Sequence, residues 1–349
     1  MTDRSGIAPP PGPGEAELVE LSLVVPMYNE AAVLDAFFAR VIPILEAVAP
    51  RYEVIGVDDG STDGTLARLC AMHLGNRRIK VVALSRNFGK EAALSAGLDF
   101  ARGAAVIPID ADLQDPPELI AELVAAWRQG FQVVLARRIE RDGDSLPKRL
   151  TARLFYRLIN RLSEIPIPED VGDFRLLDRR VVEALGRMPE RMRFMQGLFA
   201  WAGFRQTTID YRRPARVAGR SKWSYWHLWN LALGGIASFS TAPLRIWTYV
   251  GLTTAGLGLL YLGYILARTL FQGVDVPGYA SLICILLLSS GLNTVGLGIL
   301  GEYLGRVFME VKQRPLYLVA ETVGFETEVG EQIPVRPGAT TVSLPARTA

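Results

Sequence analysis

The run Ala105-Val-Ile-Pro-Ile-Asp-Ala-Asp-Leu-Gln-Asp-Pro-Pro-Glu118 decides how the rest of the chain is read. A short apolar segment stops at Asp110 and Asp112 and passes into a proline-rich turn, the pattern of a buried strand and its exit loop. The two carboxylates then stand at the carboxyl end of a strand, where open α/β sheets hold their ligands. Alternate residues of an extended chain point the same way, so both can aim at one spot. Such a pair suits Mg²⁺ or Mn²⁺ on a diphosphate, although a bare Asp-x-Asp also occurs in solvated turns and helix caps.

Moving outward, the same unit recurs. Leu21 to Val25 reads as a strand, broken by Pro26 and closed by Asn29-Glu30, and Val33, Leu34, Phe37, Phe38, Val41, Leu45 and Val48 follow at helical spacing. Tyr52 to Val57 ends in Asp58-Asp59-Gly60-Ser61-Thr62-Asp63. Ile79 to Leu84 leads into Ser85-Arg-Asn-Phe-Gly-Lys90. Val106 to Ile109 and Gln132 to Ala136 supply the fourth and fifth strands. Strands alternating with amphipathic helices indicate an α/β fold on a mostly parallel sheet. Each acidic or glycine-bearing cluster follows a strand, which predicts one shared site. No Gly-x-Gly-x-x-Gly follows the first strand and a P-loop is absent, so the phosphates must be held mainly by a metal rather than by a glycine cradle. A nucleotide sugar is favoured over NAD or ATP.

The remainder of the 349 residues is organised toward a membrane. Residues 1–20 are rich in Pro and Gly and predict a disordered lead without a signal-peptide core. From Arg137 to Arg161 the chain turns basic, with Arg138, Arg141 and Lys148 among the cations. This is either a solvated helix face or an electropositive surface for an anionic head group. No stacking pattern of aromatics accompanies it, which argues against nucleic acid. Asp173, in Gly172-Asp-Phe-Arg175, reads on its own as a cap or an ion-pair partner of Arg175 rather than as a catalyst. A second basic cluster, Tyr211 to Lys222, precedes Trp223, Tyr225, Trp226 and Trp229, the composition of a cytoplasmic interface.

Residues 226–243 suit an interfacial segment. Ile246 to Ala267 and Val276 to Gly301 carry no charge, and they predict two transmembrane helices at about 246–267 and 277–301, both longer than the ~20 residues a bilayer core requires. Flanking cations put both termini in the cytoplasm. After Leu318 a polar, disordered tail is expected. Cys70 and Cys284 read as unpaired thiols, His73 as solvated and His227 as interfacial, with no His/Cys metal cluster.

At this point a resemblance emerges. Val24-Val-Pro-Met-Tyr-Asn-Glu30, Val57-Asp-Asp-Gly-Ser-Thr-Asp63, Ser85-Arg-Asn-Phe-Gly-Lys90, Asp110-Ala-Asp-Leu-Gln-Asp-Pro-Pro117 and Gly172-Asp-Phe-Arg-Leu176 resemble family 2 glycosyltransferases. The likeness is to the polyprenyl-phosphate (bactoprenol, or undecaprenyl-phosphate) glycosyltransferases related to dolichol-phosphate-mannose synthase. It continues through Arg193-Phe-Met-Gln-Gly197, Ala218-Gly-Arg-Ser-Lys222 and Gly301-Glu-Tyr-Leu-Gly-Arg306.

The resemblance implies a GT-A catalytic domain over 21–225, an interfacial segment over 226–243, a membrane hairpin over 244–304 and a cytoplasmic segment and tail over 305–349. It implies inverting transfer of one sugar, glucose first among the candidates, from a UDP- or GDP-sugar to a polyprenyl phosphate at a bacterial plasma membrane. Carried over by position, Pro26, Tyr28, Glu30, Asp58 and Asp59 hold base and ribose, with Lys90 and Asp110 completing the nucleotide-sugar set. Asp110, Asp112 and Gln114 bind Mg²⁺ or Mn²⁺, and Asp112 and Asp173 are catalytic. Asp173 lies nearest the attacking oxygen, as base or as positioning group. Arg138, Arg141, Lys148 and Lys222 are expected on the acceptor phosphate. Such enzymes can be tetramers, on which the sequence is silent. Trp223 and Val171 depart from the usual Tyr and Thr, both on the acceptor side. A processive polysaccharide synthase is the competing enzyme, but no Gln-x-x-Arg-Trp occurs. A membrane scaffold or translocase subunit is the competing non-enzyme.

Overall fold

The computed structural model describes residues 19–139, 171–188, 190, 195–211, 242–272 and 278–325. The elements in order are β1 (Leu21–Met27), α1 (Leu34–Val48), β2 (Tyr52–Asp58), α2 (Thr65–Gly75), β3 (Ile79–Leu84), α3 (Lys90–Phe100), β4 (Ala105–Pro108), α4 (Leu119–Arg128) and β5 (Val133–Arg138). There follow β6 (Val171–Asp178), α5 (Arg179–Gly186), α6 (Met195–Trp201), β7 (Gln206–Tyr211), α7 (Ala242–Gln272), α8 (Tyr279–Val311) and β8 (Val319–Val323).

Eight strands form one sheet in the order β7-β5-β6-β4-β1-β2-β3-β8. β1 pairs parallel with both β2 and β4, β2 with β3, and β5 with β7, whereas β6 and β8 run antiparallel to their neighbours. β1 to β4 are buried on both faces, which is why they read as near-continuous apolar runs, whereas the edge strands β7 and β8 are partly exposed. Leu21, Leu23 and Val25 join α1 and α4 in one core layer, and Val24 joins α3 and α5 in the other. Gly97 of α3 makes the second layer possible, since a Cβ there would lie 2.2 Å from the Val24 side chain.

Because β6 is reversed, its first residues lie at the edge where β1, β2, β3 and β4 end. Its pairing with β5 is irregular between Leu135 and Arg137. A bulge re-aims side chains, and opposite it the burial alternation of β6 breaks at the partly exposed pair Gly172–Asp173.

Four expectations need correction. The fifth strand continues past Ala136 through Arg137 and Arg138, so the basic run begins inside the sheet. The chain beyond Leu318 is not featureless: β8 pairs with β3, Tyr317 is buried and its hydroxyl donates to Asp99 at 2.8 Å. The catalytic sheet therefore recruits a strand from well beyond residue 225. His73 is buried, not solvated, with Nδ1 at 2.6 Å from the Ile79 carbonyl and Arg77 at 2.8 Å from Nε2. And α8 extends ten residues past Gly301, through Glu302, Arg306 and Glu310, to Val311.

The long helices α7 and α8 have 31 and 33 residues. Among the described residues, no helix offers a stretch long and apolar enough to cross a membrane. The expected spans include positions whose side chains lie outside that set. Residues 1–18, the basic stretch from Glu140 to Asp170, the cluster from Arg212 to Trp229 with His227, most of the interfacial segment, and the tail from 326 onward also lie outside the described residues.

Candidate active site

The site is built by four strand ends. β1 delivers Pro26, Met27, Tyr28 and Glu30, β2 delivers Asp59, the loop after β3 delivers Asn87, Gly89 and Lys90, and β4 delivers Asp110, Ala111 and Asp112; together they line a cleft of about 310 Å³. The expectation of one shared site at the carboxyl edge is met. Pockets of this size are typical of small-molecule sites.

Backbone hydrogen bonding fixes the loops. Gly60 has φ +68°, and a Cβ there would sit 2.5 Å from the Arg86 carbonyl carbon, so only glycine lets the loops after β2 and β3 touch. Asp59, next to it, accepts the N–H groups of Phe88 and Gly89 at 2.7 and 2.9 Å. Its burial, outweighing those two donors, pushes its pKa up. Asp63 holds Ala31 N–H and Thr65, while Ser61 and Asn29 tie the same loop to the end of β1.

Asn29 and Leu113 both adopt φ +56°. For Leu this conformation is rare. The Leu113 side chain packs on the apolar core, which offsets the cost and turns the chain so that Asp112 Oδ1 accepts the Gln114 N–H at 3.0 Å.

Lys90 joins the two sides of the cleft. Its ammonium lies 2.7 Å from an Asp110 oxygen and 2.7 Å from Asp173 Oδ2. Burial works against the lysine charge, but the two carboxylates outweigh it and hold the pKa above the ordinary lysine range. Asp110 and Asp173 respond oppositely. Burial, reinforced by Asp173, leaves Asp110 raised in spite of Lys90. Burial also opposes the Asp173 charge, yet Lys90, Arg175 and Arg138 together overcome it and keep that carboxylate ionised. Glu91, the next residue, is pushed up to about 8 by burial and by the Asp173 charge.

Several assigned residues fall elsewhere. Asp58 is buried behind Asp59 and does not line the cleft; Oδ2 accepts the Ser61 N–H, and Oδ1 has no partner among the described residues. Gln114 is likewise buried and off the cleft wall, which argues against a direct place beside Asp110 and Asp112. Arg138 lies over Gly172 and donates from Nε to the Tyr211 hydroxyl at 3.0 Å. Arg141, Lys148 and Lys222 lie outside the described residues. Sequence reasoning missed Asn87 and Gly89, whose signal was their place in the loop ending at Lys90. It also missed Asp115 and Tyr211, for which no local signal exists.

No group of three or more acidic, His or Cys side chains is arranged to hold a metal among the described residues. Asp110 and Asp112 nonetheless fit a hard cation. Both face the cleft, and Asp110 already receives a cationic nitrogen there. A cation held by only two protein carboxylates would fill its shell from phosphate and water, as Mg²⁺ commonly does.

Comparison with known proteins agrees with this architecture. Glycosyl transferase family 2 matches residues 22–186, and the family described as GtrB C-terminal hairpin matches residues 242–307, a range that takes in most of α7 and α8. An uncharacterized glycosyltransferase of Synechocystis, sll0501, is 54% identical over 308 residues, covering 88% of this chain and 97% of the relative. The bactoprenol glucosyl transferase of Shigella phage SfV is 46% identical over 301 residues, covering 86% of this chain and 98% of that protein. Among solved structures, a mannosyltransferase of Pyrobaculum calidifontis in complex with GDP-Man and Mn²⁺ is 19% identical, with a TM-score of 0.44 over 84% of this chain and 87% of that one. At that distance the likeness is silent on chemistry.

Proposed function

The chain belongs to glycosyl transferase family 2, and from that premise we propose that it transfers glucose from UDP-glucose to undecaprenyl phosphate, or a similar polyprenyl phosphate, at the cytoplasmic face of a membrane. The observation that carries this reading is the Lys90 bridge. It joins a carboxylate at the end of β4, on the nucleotide side, to one at the start of the reversed β6, on the open side. Donor and acceptor can therefore meet across one ammonium group.

The nucleoside lies along Pro26, Tyr28, Glu30 and Asp59. Asp110 and Asp112 would hold Mg²⁺ or Mn²⁺, which would supply positive charge for the departing diphosphate. Lys90 adds a permanent positive charge beside the same leaving group. The acceptor is a phosphate monoester with a second pKa of about 6, so near neutral pH it attacks the anomeric carbon without first losing a proton. Attack from the face opposite the diphosphate inverts the centre. Asp173, held ionised, then orients the acceptor and sugar rather than serving as an obligatory base. Arg138, at the mouth of the same side, meets the acceptor phosphate.

The helices α7 and α8 form the membrane hairpin in this reading. At ~1.5 Å rise per residue each is long enough for a ~30 Å hydrocarbon core. Large apolar side chains along them, including Leu260, Leu270, Phe271 and Leu288, stand more than half exposed. Extraction of membranes at alkaline pH tests the hairpin: protein retained in the pellet supports it, and protein released into the supernatant removes it.

The reaction is tested with the purified full chain in detergent, given undecaprenyl phosphate, Mg²⁺ and each UDP- and GDP-sugar in turn. Acceptor-dependent UDP release with a monoglucosyl lipid product is expected. A different productive sugar would rename the donor. Polymer would point to a processive synthase, and silence with every donor from folded protein would point to a scaffold.

A further inference from the structure

Asp115 is an unusual residue to find dry. Its side chain is 4% exposed, and it follows the metal-side carboxylates without lining the cleft. A buried carboxylate is costly unless it is matched by donors. Here the match comes from across the sheet. The Tyr211 hydroxyl donates to Asp115 Oδ1 at 2.5 Å, and Arg138 Nη2 lies 3.5 Å from the same oxygen. Arg138 Nε in turn donates to the Tyr211 oxygen at 3.0 Å, closing a chain from carboxylate to phenol to guanidinium.

The strand register supplies this geometry. β5 and β7 are parallel with Arg138 opposite Tyr211, so arginine and phenol are cross-strand neighbours. Gly172 on β6 leaves room: a Cβ there would stand 3.2 Å from Arg138 Nη2. The arginine side chain is 27% exposed, and its charge acts on the Asp173 carboxylate. A guanidinium has five N–H groups in a fixed fork, and the bond to Tyr211 engages the one on Nε. Asp115 draws Nη2, which leaves Nη1 as the nitrogen available to meet a phosphate.

We propose that Asp115 and Tyr211 are positioning residues for the acceptor: they hold the Arg138 fork over Gly172 so that it receives the phosphate monoester beside Asp173. The inference rests on the reading that Arg138 meets the acceptor. It assigns to the Asp115 carboxylate, three residues beyond Asp112, a task on the acceptor side of the cleft. One loop therefore serves both substrates, with Asp112 facing the donor and Asp115 reaching back to the acceptor.

Steady-state kinetics of the full chain in detergent, with undecaprenyl phosphate and UDP-glucose varied separately, test it. Tyr211→Phe keeps the ring and removes only the hydroxyl link. It is expected to raise the acceptor KM about tenfold, the scale of one hydrogen bond to a charged group, with the donor KM within about twofold, a spread typical of unrelated sites. Asp115→Asn is expected to do the same, and the double variant to be no worse than the poorer single, since both act through one arginine. An unchanged donor KM certifies that each variant is folded. If Arg138→Ala raises the acceptor KM while neither Tyr211→Phe nor Asp115→Asn does, the positioning role falls and the acceptor role of Arg138 stands. If Arg138→Ala leaves the acceptor KM unmoved, the reading beneath the proposal falls instead. A uniform loss of kcat and melting temperature, without a split between the two KM values, would make the trio merely structural and overturn the proposal.

Discussion

The two sides of the cleft are built by different means. On the donor side, loops after β1, β2 and β3 are stitched by carboxylates accepting backbone N–H groups, as Asp59 does from Phe88 and Gly89 and Asp63 from Ala31. On the acceptor side, long side chains hold one another across strands: Lys90 to Asp173, Arg138 to Tyr211, Tyr211 to Asp115. The difference teaches which side tolerates change. Backbone stitching sets the shape of a nucleotide pocket rigidly. A side-chain relay can be retuned by single substitutions.

The largest expected effect bears on the donor side. Asp112→Asn should lower kcat by roughly 10²–10³-fold, the scale of losing one electrostatic stabiliser of developing charge, measured as UDP release at saturating substrates. A near-normal rate would remove Asp112 from the reaction. Next, Asp173→Asn tests the acceptor side. Because a phosphate monoester needs no strong base, a loss of about tenfold in kcat is expected, below the ~10²–10⁴-fold typical of general-base removal. A larger loss, with a pH–rate profile that loses its acidic limb, would make Asp173 the base.

Smaller effects sharpen the contrast in stability. Asp59→Ala leaves the Phe88 and Gly89 amides without their acceptor and should cost about 1–3 kcal/mol, read by thermal melting, together with a raised donor KM and an unmoved acceptor KM. An equal rise in both KM values would erase the distinction between the two sides. Stability also carries a pH dependence set by Glu91. Its folded pKa of about 8 lies above the ordinary glutamate value of 4.5, so the folded chain binds the extra proton between them. Stability from this group is therefore full below about pH 4.5 and falls as pH rises toward 8. Glu91→Gln should flatten that fall in melting temperature; an unchanged slope would assign it to other groups.

Much of the donor side was legible in the chain because each of its parts is local. Asp58-Asp59-Gly60, Asn87 to Lys90 and Asp110-Ala-Asp112 all follow a strand, and parallel pairing of β1 with β2 and β4 brings their ends together. Leu113 shows the limit of such reading. Nothing in its identity announces φ +56°, which arises because its side chain is drawn into the core while Asp112 stays at the cleft. Gln114 was misplaced for the same reason, since its neighbours' exposure did not carry over to it. The strand after Leu318 escaped notice because five residues, Val-Ala-Glu-Thr-Val, carry too little pattern to read as a strand without the β3 edge that pairs them.

The sequence by itself determined the sheet's alternating units and the carboxylates at the strand ends, because each depends on residues close together along the chain, and it pointed to the family through motifs in order along it. Tertiary structure alone decided that Lys90 would bridge Asp110 and Asp173, and that Asp115, Tyr211 and Arg138 would form one relay. The relay's two hydrogen bonds join residues 73 and 96 positions apart. They exist only because β6 runs against its neighbours and β7 pairs beside β5, a matter of strand order that no local pattern of residues encodes.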